Sequence, residues 1–374
     1  MATQELVVQL NPEHYDNLTD ANAVGKTNFG KSSCQNNTGT VFAVGSDDNV
    51  VIYTSNSYET KYAVSISNPG NSNSKFGFKI AMDSPGDTII IGAPGDNRVY
   101  VFDAQDQSRT YWTQRSSGWN NNSYLGTSDY GTIHYGSDVD VAGDDDSLFV
   151  VGRPGDHKIE LWSWPNGSSA TLLKTITKSS NFGFSCKLSA DGQVVIAGGP
   201  GNYYPYGTFN AYGNGIAHVY AKDPSSAITW TERTLPFDYT DCPTYVEYID
   251  QTTTTIKDVT NINIESGGTK TPLNPAFGFS VAINKDGTFI SVSAPNRKCF
   301  FSAEWVNGTS YNWLTGKPVT GDIDAFGSFL FMQYDGTRIV TGNTNIENRK
   351  YWEESNTSNL HWHDLDSSTR SYCV

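Results

Sequence analysis

The sequence predicts an all-β protein: one closed β-propeller of seven blades, each a four-stranded antiparallel sheet. Three observations carry this. A Phe-Gly unit, once Tyr-Gly, returns about every 48 residues, and a fixed period of that size marks blade repeats. The chain holds 35 Gly, 21 Tyr, 18 Phe and 9 Trp, a composition of short strands and tight turns. No long stretch shows the apolar rhythm of a helix.

The marker aromatics are Phe29, Phe76, Tyr135, Phe182, Phe277 and Phe326. Their separations are 47, 59, 47, 95 and 49 residues. The gap of 95 equals two periods, so a degenerate copy is expected from about 230 to 276. Blades then begin near 29, 76, 135, 182, 230, 277 and 326 within a single domain, 1–374. Six blades plus an inserted hairpin is the alternative count.

Each copy reads as four strands. The first follows the FG unit and alternates, as at Phe78, Ile80 and Met82. The second is an apolar run, such as Ile89-Ile90-Ile91 or Val194-Val195-Ile196, which suits burial on both faces. The third is typified by Val99–Phe102 and Ile159–Trp162, and the fourth carries an aromatic such as Trp112, Trp230 or Trp313. Asp-Gly turns at Asp191-Gly192, Asp286-Gly287 and Asp335-Gly336 join the first two strands as tight hairpins. A lone blade cannot bury both faces; packing blades around an axis does so and leaves only short edges. The apolar segment at 5–10 is expected to complete the last blade and hold the ring shut.

The copies resemble FG-GAP repeats, the blade type of the integrin α-subunit propeller. The likeness rests on FGFSV at 277–281, KDG at 285–287 and Gly92-Ala93-Pro94, with looser forms at Gly152-Arg153-Pro154, Gly198-Gly199-Pro200 and Ser293-Ala294-Pro295. Divergent propellers rich in Asn, Ser and Tyr also occur in large DNA viruses, and this composition is similar. The resemblance implies a surface or virion protein, extracellular or on a virion. No secretory signal is visible at the start. The resemblance also implies calcium in the turn after the first strand. A hard cation needs six to eight oxygens, and most of these turns offer one carboxylate. The remaining candidates are Asp140, Asp144, Asp145 and Asp146, and Asp83 with Asp87. No cofactor is otherwise expected.

Function is expected to be non-enzymatic. No GxSxG elbow, HExxH helix or Walker loop is present. His361 and His363 flank Trp362 and would share one strand face. The five cysteines, Cys34, Cys186, Cys242, Cys299 and Cys373, are scattered and read as free thiols. The net charge of −14 argues against nucleic acid, which needs a basic face. No apolar run is long enough to cross a membrane as a helix. The expected partner is a protein or a carbohydrate, met by loops on one face. Those loops join strands two and three, and blade to blade. The chosen contact residues are Tyr203, Tyr204, Tyr206, Phe209 and Tyr212 in the insertion at 200–215, with Asp96 and Asp156 in neighbouring turns. Tyrosines offer large area, polar tips and few rotamers to freeze. A purely structural role in a capsid, coat or adhesin is the alternative. Six glycosylation sequons, at Asn17, Asn36, Asn121, Asn166, Asn307 and Asn356, matter only if the chain meets that machinery.

Overall fold

The FG-marked repeat folds where the sequence divides it. A computed structural model describes residues 29–56, 59–115, 124–126, 134–201, 213–243, 245–249, 254–258, 264–266, 269–271, 274–314, 316–320, 326–342 and 361–364. Blade I comprises β1 (Ser32–Gln35), β2 (Val41–Gly45), β3 (Asn49–Asn56) and β4 (Glu59–Ser67). Blade II comprises β5 (Lys79–Met82), β6 (Thr88–Ala93), β7 (Arg98–Ala104) and β8 (Trp112–Gln114), with β9 (Leu125–Gly126) also on β7. Blade III comprises β10 (Val139–Ala142), β11 (Asp145–Arg153), β12 (Lys158–Ser163) and β13 (Thr171–Thr177). Blade IV comprises β14 (Ser185–Leu188), β15 (Val194–Gly199), β16 (Ile216–Lys222) and β17 (Trp230–Arg233).

Two separate hairpins follow: β18 (Tyr245–Ile249) with β19 (Thr254–Asp258), and β20 (Ile264–Ser266) with β21 (Thr269–Thr271). Blade V comprises β22 (Val281–Ile283), β23 (Phe289–Ala294), β24 (Cys299–Val306) and β25 (Ser310–Trp313), with β26 (Val319–Thr320) also on β24. Blade VI comprises β27 (Phe329–Met332), β28 (Arg338–Gly342) and β29 (His361–Asp364). Every pairing within a blade is antiparallel.

The seven-blade expectation is therefore corrected to six. The supposed copy near 230 is not a blade. Its first residues are the outer strand β17 of blade IV, and the rest supplies two hairpins that, among the described residues, pair with no blade. The reason is local: no FG unit exists there to start an inner strand. Blade V instead follows blade IV directly in space, and Gly215 bridges Phe277 in parallel. The segment at 5–10, expected to close the ring, lies outside the described residues, as does Cys373.

The core sits between blades. Phe76, Tyr135, Phe182, Phe277 and Phe326 are each at most 1% exposed. Each belongs to the apolar cluster between its own blade and the preceding one. Phe29 is only half-buried. The second strands β6 and β15 are buried at every residue, as their unbroken apolar runs require. The FG glycine is needed for a close approach. A Cβ on Gly183 would lie 2.1 Å from the Lys158 carbonyl oxygen of blade III, at a φ of +91°. Gly152 of blade III answers it: its Cβ would meet the Gly183 carbonyl oxygen at 2.0 Å. The first glycine of each GAP-like element is thus a partner of the next FG unit.

One buried ion pair ties blades II and III. Arg115 is wholly buried, donates from Nε to Asp103 at 2.8 Å and pairs with it through Nη2. Its Nη1 donates to the Trp164 carbonyl of blade III.

Candidate functional site

The inner strands β1, β5, β10, β14, β22 and β27 follow one another around the axis, and the two ends of that axis are built differently. At one end the turns after the inner strands form a chain of backbone hydrogen bonds. Asn37 N donates to Ser84 O (3.1 Å), Ser84 N to Gly143 O (2.8 Å) and Asp144 N to Ala190 O (2.7 Å). Asp191 N donates to Lys285 O (3.1 Å), and Lys285 N to Tyr334 O (3.0 Å). All six blades are linked in order. The Tyr334 hydroxyl of blade VI then donates to Asp144 of blade III at 3.1 Å, crossing the axis between opposite blades. Ser84 donates to the same carboxylate at 3.3 Å.

The channel wall comes from the inner strands. Each is a sheet edge with unpaired N–H groups facing the axis. The preceding blade supplies acceptors for three of them. Asp138 accepts from Cys186 N and Asp140 from Leu188 N, both at 2.8 Å, and Ser280 accepts from Leu330 N at 2.9 Å. Strand register then assigns the rest of the wall. The residues aligned with Asp138 and Ser280 are Ser32, Lys79, Ser185 and Phe329. Those aligned with Asp140 are Cys34, Ala81, Lys187, Ala282 and Phe331.

Lys187 pairs with Asp140 at 3.5 Å, and its charge reaches Cys34 of blade I. Burial pushes the Cys34 thiol well above its usual range, so it is no thiolate nucleophile. Burial raises the Asp140 carboxyl, against the opposing effect of Lys187. Burial also lifts Asp83 to about 6, although Gly86, Asp87 and Thr88 all donate to it.

The other end carries the blade linkers and the turns between strands two and three, as expected. These turns bond to the linkers: Tyr135 N donates to Asn97 Oδ1 (3.0 Å), and Asn181 N to His157 Nδ1 (2.9 Å). The residue after each FG unit lies here, giving Lys31, Phe78, Ser137, Phe184, Phe279 and Ser328. Phe78, Phe184 and Phe279 are half-buried. The Phe184 and Phe279 rings lie 5.1 Å apart across blades IV and V, and Lys31 Nζ sits 4.2 Å over the Phe78 ring.

The chosen contact residues divide at this face. Tyr203, Tyr204, Tyr206, Phe209 and Tyr212 lie outside the described residues. Their insertion leaves the fold at Gly201 and returns at Gly213, and these ends touch: a Cβ on Gly201 would be 2.3 Å from Gly213 Cα. Gly213 O accepts from Ala276 N and Asn214 O from Phe277 N, so the root lies against the FG unit of blade V. Asp96 is buried and accepts from Asn71 N at 3.0 Å and Asn71 Nδ2 at 3.2 Å. Asp156 pairs with Arg153 and lies 4.0 Å from Lys158. Both carboxylates are occupied in holding turns.

Calcium does not fit the acidic turn. Asp140 faces Leu188 N and Lys187, Asp144 faces Tyr334 and Ser84, and Asp145 accepts from Ser147. Asp146 is the next residue of β11. Among the described residues no three His, Cys, Asp or Glu side chains gather as metal ligands, and no helix is long and apolar enough to cross a membrane. An outer cleft of about 450 Å³ is lined by Ala217, His218, Glu232, Arg233, Thr234 and Leu235. There Glu232 is shared by His218 (2.5 Å) and Lys178 (2.8 Å). Burial lowers the His218 pKa despite that partner.

Sequence reasoning missed the channel residues Lys79, Asp138, Lys187 and Phe331. The available signal was charge at alternate positions of an inner strand that packing alone would make apolar.

These features define a propeller with a tied end and a loop-bearing end. No family model matches the chain, and no curated protein sequence does. Its FG-GAP and viral likenesses rest on the residues of the repeat alone. Solved structures share the fold. A protein from Lactobacillus plantarum matches at TM-score 0.54 and 13% identity, over 92% of this chain and 83% of that one. Saccharomyces cerevisiae Sqt1 matches at TM-score 0.51 and 11% identity, over 94% and 86%. Kuenenia stuttgartiensis hydrazine synthase matches at TM-score 0.51 and 11% identity, over 90% and 84%. At such identities the likeness establishes the fold alone, a β-propeller. The expected extracellular or virion-surface location is corrected here. Sqt1, which shares the fold, is an intracellular protein, so that expectation is not carried further.

Proposed function

We propose that the chain is a non-enzymatic assembly module that holds a protein partner on its linker face. One observation carries this. The root of the tyrosine-rich insertion lies against the FG unit of blade V, Gly213 O accepting from Ala276 N and Asn214 O from Phe277 N, two residues from the Phe184–Phe279 pair. The ends of the insertion that carries Tyr203, Tyr204, Tyr206, Phe209 and Tyr212 are thus held beside a half-buried aromatic pair at the channel rim. Aromatic anchors grouped at one place are what protein interfaces use as hot spots. Asp96 and Asp156 keep the neighbouring turns in place on this reading.

A photo-crosslinking residue at position 279 tests it, with cross-linked partners identified from the native source. Replacing 202–212 by a Gly-Ser linker should abolish the cross-link and leave thermal unfolding unchanged. A partner retained by that variant overturns the reading. So does glycan binding by the intact chain that a Tyr203/Tyr204/Tyr206 triple alanine variant loses, which would select a carbohydrate instead.

A further inference from the structure

We propose that the central channel binds a carboxylate carried on an apolar body, with Lys79 holding the carboxylate and Phe331 meeting the apolar part. This inference is independent of the protein partner and uses none of the insertion.

The wall is two-sided. Blades II to IV contribute Lys79, Asp138, Asp140 and Lys187, whereas blades V and VI contribute Ala282, Phe329 and Phe331 at the same levels. Three of the four charges are already engaged: Lys187 with Asp140, and Asp138 with Cys186 N. Lys79 differs. It is exposed although it opens an inner strand, and among the described residues it makes no ion pair. It stands two residues after its FG glycine, level with Asp138 and Ser185 on the neighbouring inner strands. An ammonium on an inner strand with no carboxylate partner of its own is available for a charge-assisted bond to a ligand carboxylate.

Phe331 is the second anomaly. It is 52% exposed, while the aligned Ala81 and Ala282 are 5% and 3% exposed. A large apolar side chain left open on an inner strand leaves area for an apolar ligand to bury. The end beyond it is tied by the turns and by Tyr334. The ligand would therefore enter past Phe78, Phe184 and Phe279. Such a ligand is either a small aliphatic or aromatic acid, or the C-terminus of a polypeptide ending in an apolar residue.

The test uses the full chain with reductively ¹³C-methylated lysines, the Lys79 signal being assigned by its loss in Lys79→Gln. Octanoate is titrated first, then a short acetylated peptide ending in leucine, as free acid and as amide. The Lys79 signal should shift with octanoate or with the free acid, and never with the amide. Calorimetric affinity should fall about tenfold or more in Lys79→Gln, as expected when one charge-assisted contact is lost. It should recover in Lys79→Arg and fall also in Phe331→Ser. Lys174→Gln on the outer strand β13 should change nothing. Octanoate alone binding would select a small acid; the peptide acid binding more tightly would select a chain terminus. No shift of Lys79 with any acid, or undiminished affinity in Lys79→Gln, overturns the proposal.

Discussion

The two ends of this propeller differ in what holds them. At the turn end, neighbouring blades are joined by main-chain hydrogen bonds, from Asn37 round to Tyr334. These bonds use backbone atoms, so they tolerate varied side chains: Ser84, Asp144, Ala190 and Lys285 occupy equivalent roles. At the linker end, blades meet through side-chain packing of an aromatic and, in most pairs, two closely apposed glycines, as Gly152 and Gly183 show. The loop that breaks the repeat is also rooted there. Sequence change is thus cheap at the tied end and confined to insertions at the other.

The largest expected effect lies at the linker end. Phe277 is 1% exposed and packs on Phe237 and Phe301. Phe277→Ala should cost about 3–5 kcal/mol, by cavity formation between blades IV and V. Denaturant unfolding reads it directly. Phe29→Ala, at the half-buried equivalent, should cost clearly less; equal losses would show that burial does not rank the FG positions.

Next is the buried Arg115–Asp103 pair of blade II, from which Arg115 also reaches the Trp164 carbonyl of blade III. Arg115→Met leaves Asp103 buried without its cation and should cost roughly 3–5 kcal/mol. Pairing it with Asp103→Leu should recover most of that loss, since a matched apolar pair avoids the stranded charge. A double variant as unstable as the single one would mean that the bond to the Trp164 carbonyl matters more.

A smaller effect, dependent on pH, belongs to the tied end. Asp83 titrates near 6 in the folded chain, above the usual carboxylate value near 4, because burial outweighs three backbone donors. Between those values the folded state binds more protons than the unfolded one. Stability should therefore fall as pH rises from about 4 to about 6 and stay flat above. Asp83→Asn should remove that slope and gain roughly 1–2 kcal/mol at neutral pH, with no difference near pH 3.5. The repeat supports this substitution. Asn36 and Asn284 already accept the corresponding strand N–H, from Val41 at 3.0 Å and Phe289 at 2.9 Å. Thermal melts across pH read both slopes.

What the sequence made legible follows the same division. The marker aromatics, the apolar second strands and the Asp-Gly turns are repeated, so laying the chain over itself finds them. The blade count failed because 95 residues equal two periods by length alone. Contacts invisible to spacing, such as the Gly215–Phe277 bridge and the Asp191–Lys285 backbone bond, show that blade V follows blade IV directly. The channel was hidden for another reason. Asp138 and Asp140 bond to backbone 48 residues ahead, one period on, in a strand whose pattern suggested packing. Tyr334 and Asp144 are 190 residues apart and belong to opposite blades, a relation that only ring closure creates.

That cross-axis contact gives the smallest effect and the finest test of the comparison. Tyr334→Phe removes the hydroxyl that donates to Asp144 and leaves the Lys285–Tyr334 backbone bond in place. Because the contact is exposed, water can replace the lost donor, and the cost should be about 0.5–1.5 kcal/mol. Amide exchange at Lys285 and Asp191 should stay slow, since their bonds do not use the side chain. If exchange there becomes fast, or the loss exceeds that range, the turn end depends on one side chain as the linker end depends on Phe277. The contrast between a backbone-held end and a side-chain-held end would then fail.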